Sequence, residues 1–355
     1  MNIFLKNIVA FAFLISILWF VVEGLIPQVP LTFRNWEIFQ VLDYSKFAGP
    51  WMPNQTVIRD ELGDMGHHTD REIVKENIRW TTDDLGYRND VFIKDPDIVF
   101  IGASNILGSG MDQEDFLGPV MGRMLDRITY TMAPTHFNEL ARHIHNKVID
   151  KPDMVIYGCL ERLIPEFKAL NKKWIKSNIK NKDKYHNNWY KFYNKLHQRL
   201  KKKMFKNFVK ARINGSTGWG EPSPVDDKMM IFKKNNDLVK ASRDEIKKHA
   251  KIISDYHNYL KRKGIKFIFF PIPNKGTIYY ETVPLDKQPD YLKKLFVELK
   301  KKKVPHINTL DLFNNHKTKE LIYHYDDSHW NENAVNLVAK KLSKKINQLE
   351  RKSEN

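Results

Sequence analysis

Residues 97–110 read Asp-Ile-Val-Phe-Ile-Gly-Ala-Ser-Asn-Ile-Leu-Gly-Ser-Gly, DIVFIGASNILGSG. The apolar run 98–101 does not alternate with polar residues and is too short for a helix, which is the pattern of a strand covered on both faces. It runs straight into Gly102-Ala103-Ser104, so a hydroxyl is expected at the strand's carboxyl end, where open α/β sheets bind their ligands. Working outward, strand-like runs recur at 97–101, 127–132, 153–157, 266–270 and 304–308. Helical stretches near 135–149, 243–263, 288–302 and 331–348 lie between and after them. Apolar strands alternating with helices predict a three-layer α/β/α sandwich around a central parallel sheet.

The 355 residues are 42% hydrophobic and 12% aromatic, ordinary globular composition that excludes disorder as the starting assumption. A single cysteine, Cys159, rules out an internal disulfide framework and any cysteine-based zinc site, and its place after an apolar run reads as a small buried hydrophobe. Lys and Arg number 59 against 42 Asp and Glu, a formal charge of +17 that favours an acidic partner: nucleic acid, anionic lipid or anionic polysaccharide.

The N-terminus narrows that choice. Residues 8–22, IVAFAFLISILWFVV, follow Lys6 and precede any further Lys or Arg by a long interval, until Arg34. Extended by the apolar residues on either side, residues 1–26 are expected to be an uncleaved signal-anchor crossing a bacterial inner membrane, with the N-terminus inside and the rest of the chain extracytoplasmic. A cleaved signal peptide is the rival, but no convincing small-x-small cleavage site is present. This placement makes nucleic acid a poor partner.

Residues 27–95 read as an irregular lead-in with short strands, and 96–350 as the main domain. The domain is interrupted at about 163–240 by a stretch expected to be helical, in which residues 168–212 hold sixteen Lys or Arg against the single acid Asp183. Trp174, Tyr185, Trp189, Tyr190, Phe192, Tyr193 and Phe205 are interleaved with this charge. Such runs are most often solvated helix faces; binding of an anionic polymer or a membrane surface is the other reading, since aromatics stack on sugars as well as on bases.

Ser104 alone is a poor nucleophile and needs a base, which in turn needs an orienting acid. The stretch 324–342, HYDDSHWNENAVNLVAKKL, offers Asp326, Asp327 and His329 just ahead of the last amphipathic helix, with Asn331 as its N-cap. Both ends of the domain would then converge above the sheet. His67 and His68 with Asp70 read as loop histidines, because adjacent side chains diverge and no spaced second pair follows. His143 and His145, two apart on a helix, read as surface residues. The glycines at 102, 108 and 110 have the wrong spacing for a phosphate loop. No metal and no cofactor is expected.

Together these blocks resemble the SGNH (GDSL-type) hydrolase superfamily, and more narrowly the SGNH-like domain of alginate and other polysaccharide O-acetylation proteins. The resemblance rests on GASN at 102–105, Glu161-Arg162 after the third strand, PIPNKGTIYY at 271–280, DSHW at 327–330, and DDLGYRND at 83–90, which leads into the first strand. It covers roughly 80–345 without the basic insertion. It implies Ser104 as nucleophile, His329 as general base, and either Asp327 or Asp326 as the acid, with Trp330 favouring Asp327. The oxyanion contacts it implies are the Ser104 and Asn105 region, with a second donor near Ala133 to Thr135 or Arg162 beside Glu161. Glu161 and Arg162 also read as a structural ion pair closing the third strand, Lys275 reads either as facing the cleft to attract an anionic sugar or as a solvated turn lysine, and Arg88 is a candidate supporting residue. Ala103 replaces the usual Asp of the serine block. Ser104 precedes the Asp-His block here, the reverse of the order in the alginate proteins. The implied activity is acyl transfer to a polysaccharide hydroxyl, with a separate multi-span membrane acyltransferase supplying the acyl group. A carbohydrate acetyl-esterase with the same residues, or a non-catalytic polysaccharide-binding envelope protein, are the alternatives.

Overall fold

The structure is a computed structural model that describes residues 3–25, 32–40, 49–179, 202–233 and 238–354. Its strands are β1 Gln55–Glu61, β2 Lys75–Thr82, β3 Ile98–Gly102, β4 Thr129–Met132, β5 Met154–Leu160, β6 Gly220–Pro222, β7 Met230–Phe232 and β8 Lys266–Ile272. The central sheet is parallel, in the order β4-β3-β5-β8. Every residue of β3 and β5 is buried. Successive side chains of a strand point to opposite faces, so both faces of this sheet are covered, as the unbroken apolar runs require. Helix Leu117–Leu125 packs on Glu332–Glu354, and Arg243–Lys261 on Tyr291–Lys301. The chain passes from β3 to β4 on one side and then crosses to β5 on the other, so the sheet reverses its direction of growth at β3. The carboxyl end of β3 is therefore the crevice where a ligand site is expected.

The strand expected at 304–308 forms only a single parallel bridge, between His306 and Phe269. Pro305 has no N–H to give to a ladder, although its carbonyl accepts from Phe269 at 2.9 Å. The lead-in is more regular than its sequence suggests, with β1 and β2 forming an antiparallel hairpin. The insertion is not purely helical: it contains helix Lys202–Asn214 and the short antiparallel pair β6–β7. Residues 180–201, with Tyr185, Trp189, Tyr190, Phe192 and Tyr193, lie outside the described residues. Trp174 packs on helix Phe137–His145, its indole N–H donating to Glu139 and its ring lying under Arg142. On that helix His145 is exposed but His143 is fully buried, which corrects its reading as a surface residue.

The N-terminal segment forms helix Ile3–Leu25, with Ile3, Phe4, Phe11 and Phe13 exposed along it. Side chains of this helix are described for residues 3–18. Among the described residues no helix is long and apolar enough to cross a membrane.

Candidate active site

The small residues after β3 are required by its neighbour. Gly102 pairs with Gly158 of β5, and a Cβ on Gly102 would lie 1.9 Å from the Gly158 carbonyl oxygen, with φ at +154° besides. The chain then turns into the short helix Ser104–Leu107, whose Ile106 and Leu107 N–H groups bond the Ala103 carbonyl. The N–H groups of Ser104 and Asn105 open this turn and have no intrahelical acceptor. Ser104 itself is partly exposed, at the foot of a cleft.

The Ser104 hydroxyl donates to His329 Nε2 at 2.6 Å, and His329 Nδ1 lies 2.7 Å from Asp327 Oδ1. A carboxylate only accepts, so satisfying both contacts places the ring proton on Nδ1 and leaves Nε2 free to take the serine proton. Trp330 holds the two remote segments together: its indole N–H donates to the Asn105 carbonyl at 3.1 Å, and the buried ring stacks on Phe270. Asn331 caps the helix that follows, accepting from Ala334 N–H.

The two adjacent aspartates have different tasks. Asp327 serves the imidazole. Asp326 instead accepts the N–H groups of Gly63 and Ile73 at 2.9 and 3.0 Å and pairs with Lys75, so it fastens the lead-in to the last block. Gly63 allows that approach, since a Cβ there would fall 2.2 Å from the Asp326 carbonyl oxygen.

Three residues of the lead-in complete the site and were not among those singled out from the sequence. Arg34, only 1% exposed, donates to Asp327 Oδ2 and lies 3.5 Å from Glu61. Burial alone would raise the Asp327 carboxyl, but Arg34, then His329 and Lys75, outweigh it and hold the group well below the usual carboxylate range. Lys75 lies 3.7 Å from Asp327. Asp64 accepts from the Ser328 backbone at 2.8 Å and comes within 3.7 Å of His329 Nδ1; burial and the Asp327 charge push its carboxyl up. Asp64, Asp327 and His329 present ligand atoms within 4.8 Å of one another, a spacing a metal ion would accept. Arg34 already balances Asp327, so a cation there would meet a like charge at its own ligand, and no step is assigned to a metal.

Other expected site residues are placed differently. Lys275 does not face the cleft: it is 2% exposed and donates to the carbonyls of His324, Tyr325 and Asp327, holding the loop that carries the acid, and burial lowers its ammonium to about 8. Glu161 is buried and accepts from Asn274 N–H and the Thr277 hydroxyl, so it anchors the same turn. Arg162 lines the cleft, with its guanidinium 4.8 Å from the Phe232 ring centre. In the turn Ala133 to Thr135, Pro134 and Thr135 have no N–H to offer an oxyanion. Thr135 N–H is already given to the Gly102 carbonyl at 3.0 Å, its hydroxyl to Tyr87, and the intervening Pro134 has no N–H. Asn105 is fully buried and does not line the cleft. Arg88 supports the turn after Ser104 from below, donating to the carbonyls of Leu107, Gly108 and Met111. His67 and His68 sit in a turn but are buried, His67 stacked on Phe33 at 3.9 Å between ring centres.

The cleft holds about 580 Å³. Ser104 and His329 share it with Arg34 and Asp64, with aromatic side chains of the lead-in, and with Trp219 and Phe232 of the insertion. A nucleophile-base-acid chain opening into an apolar-walled cleft is the equipment of acyl transfer through a serine ester.

Residues 230–355 match the family model ALGX, the SGNH hydrolase-like domain of the acetyltransferase AlgX. The AlgX match spans Lys275, Asp326, Asp327 and His329, while Ser104 lies outside it. The resemblance drawn from the PIPNK and DSHW blocks is therefore the one the AlgX family model finds. A crystal structure of a candidate acylhydrolase from Bacteroides fragilis is similar at 11% sequence identity and a TM-score of 0.36, covering 72% of this chain and 88% of that one. No curated protein matches the chain.

Proposed function

We propose that the chain is an extracytoplasmic O-acyltransferase of the SGNH type, anchored in the bacterial inner membrane by residues 1–26, that acetylates a cell-envelope or exported polysaccharide. The observation that carries this reading is the contact of 2.6 Å between the Ser104 hydroxyl and His329 Nε2 at the foot of an accessible cleft. The AlgX-type match over the C-terminal block supports acetyl transfer as the chemistry.

In the first half-reaction Ser104 Oγ attacks the acyl carbon of an ester or thioester donor while its proton passes to His329 Nε2. The bond from the acyl carbon to the donor's leaving group then breaks, the leaving group takes that proton, and an acyl-serine remains. In the second, an acceptor hydroxyl gives its proton to His329, its oxygen bonds the acyl carbon, the Ser104 ester breaks, and His329 returns the proton to Ser104. Asp327 holds the ring in the required tautomer and offsets its charge. The Ser104 N–H faces the developing oxyanion, and loss of one such donor typically costs ~3–4 kcal/mol. The donor is an acetyl group delivered across the membrane by a multi-span acyltransferase.

Purified protein given a small acetyl ester tests this reading. Wild type forms an acetyl-enzyme detectable as a mass increase on the Ser104 peptide, and Ser104→Ala forms none. With acceptor oligosaccharide present, acetyl appears on sugar at the expense of free acetate; an esterase would release acetate alone, and a non-catalytic binder would give no adduct.

A further inference from the structure

The cleft beside Ser104 has a second wall for which the acyl-serine step has no use. Trp219, the residue that leads into β6 of the insertion, lines this cleft and is 62% exposed. The backbone beneath it is fixed: Trp219 carbonyl accepts from Lys233 N–H at 3.0 Å, its N–H donates to the Thr217 hydroxyl, and that hydroxyl is itself tied to the Met65 carbonyl. An indole held in place by its backbone yet left bare is a platform awaiting a partner. Phe232, cross-strand to Gly220, lines the same cleft and carries the Arg162 guanidinium over its ring. The lead-in contributes Trp36 to the lining, and its indole N–H is buried with no partner among the described residues.

We propose that Trp219, Phe232 and Trp36 form the acceptor subsite, with Trp219 the face on which a pyranose ring of an oligosaccharide stacks. A pyranose has an apolar C–H face and a rim of hydroxyls, so its binding site needs a flat aromatic surface beside planar polar groups. This cleft supplies both, with Asn207 and Arg162 set among the rings. A fatty acyl chain would match the aromatic walls but offer nothing to the Asn207 amide or to the Trp36 indole N–H, which a sugar hydroxyl can meet. The proposal rests on the acyl-transfer reading and adds the residue that decides whether a sugar, rather than water, receives the acyl group.

The test uses the full chain in detergent, 4-nitrophenyl acetate as donor, and cellopentaose, chitopentaose and pentagalacturonate as acceptor probes. The readout is the ratio of acetyl transferred to acetyl hydrolysed. Trp219→Ala lowers that ratio about tenfold, as expected for loss of a stacking contact, whereas Trp219→Phe, which keeps an aromatic face, stays within about threefold of wild type. An unchanged ratio in Trp219→Ala overturns the subsite, as does a wild type that hydrolyses the ester yet transfers to none of the three probes. If wild type forms no acetyl-enzyme, the parent reading fails, and the subsite is decided separately by tryptophan fluorescence. In that case a saturable change with one of the probes in Ser104→Ala, lost in the double variant with Trp219→Ala, supports it, and no change in Ser104→Ala overturns it.

Discussion

The guanidinium of Arg34 donates to one oxygen of Asp327 while the other oxygen of the same carboxylate meets the His329 ring. Both partners are almost wholly buried, so the pair is exchanged for water only if the lead-in lifts away. Replacing Arg34 by Met removes the strongest opposition to burial and leaves only His329 and Lys75 against it, so the Asp327 carboxyl rises from its depressed value. Asp327 stays ionised in wild type down to low pH, and its contribution to stability, complete above about pH 4, is lost only as pH falls through that lowered value. In Arg34→Met the acid limb of kcat/KM against pH moves to higher pH, and stability falls by about 3–5 kcal/mol because a buried charge has lost its partner. A pH-rate profile with the same acid limb as wild type would show that Arg34 has no electrostatic hold on the site.

Asp327→Asn and Asp326→Asn should fail in different ways. An amide at 327 presents the wrong hydrogen-bond character to Nδ1, and the rate falls by about 10⁴. At 326 the loss is structural, because the carboxylate gathers two backbone N–H groups and Lys75 at the junction with the lead-in. A lowered melting temperature with a rate within about tenfold of wild type is expected for Asp326→Asn, since the buried partners it leaves cost free energy of folding rather than transition-state contacts. Paired melting curves and initial rates separate the two.

Glu37 lines the cleft and is buried, which raises its carboxyl to about 7 against the opposing N–H donors of Phe33 and Arg34. Its folded value lies above the unfolded one, so between about pH 4.5 and 7 the folded chain binds more protons and stability declines as pH rises. Glu37→Gln keeps an acceptor for the two N–H groups and removes the penalty. The variant melts at higher temperature than wild type at pH 8, by up to about 3 kcal/mol in stability, and the difference vanishes near pH 4. Equal differences at both pH values would overturn this assignment.

Arg88 lies under the turn that follows Ser104, with its guanidinium spread over carbonyls of Leu107, Gly108, Met111 and Arg79. A point-charge ammonium lacks that fan of donors, so Arg88→Lys loses about 2–4 kcal/mol of stability by urea unfolding. The rate falls with it as the serine turn loosens. Unchanged unfolding in Arg88→Lys would mean that the carbonyls find other donors.

Local pattern was enough for the sheet and for two of the reacting groups. Uninterrupted apolar runs fix which strands are buried, and the periodicity of 243–261 or of the last helix needs no tertiary partner to be legible. Ser104 follows from its place at a strand end, and His329 from its place before a capped helix. The fifth strand is not legible from its apolar residues, because Pro305 among them denies the ladder a donor. The lead-in is illegible for a different reason: its sequence has little period, yet its glycines and charges are shaped to a surface formed elsewhere in the chain.

The sequence by itself determined a covered parallel sheet, a hydroxyl at the end of its first strand and an Asp-His pair near the C-terminus, because hydrophobic period and turn chemistry act over a few residues. Only the tertiary structure decided that Asp327 and not Asp326 meets the imidazole, that Lys275 and Thr135 are already engaged, and that Arg34 stands behind the acid from 293 positions away. Those outcomes depend on which buried donors and carboxylates find one another once water is excluded, a selection made between segments and invisible within any one of them.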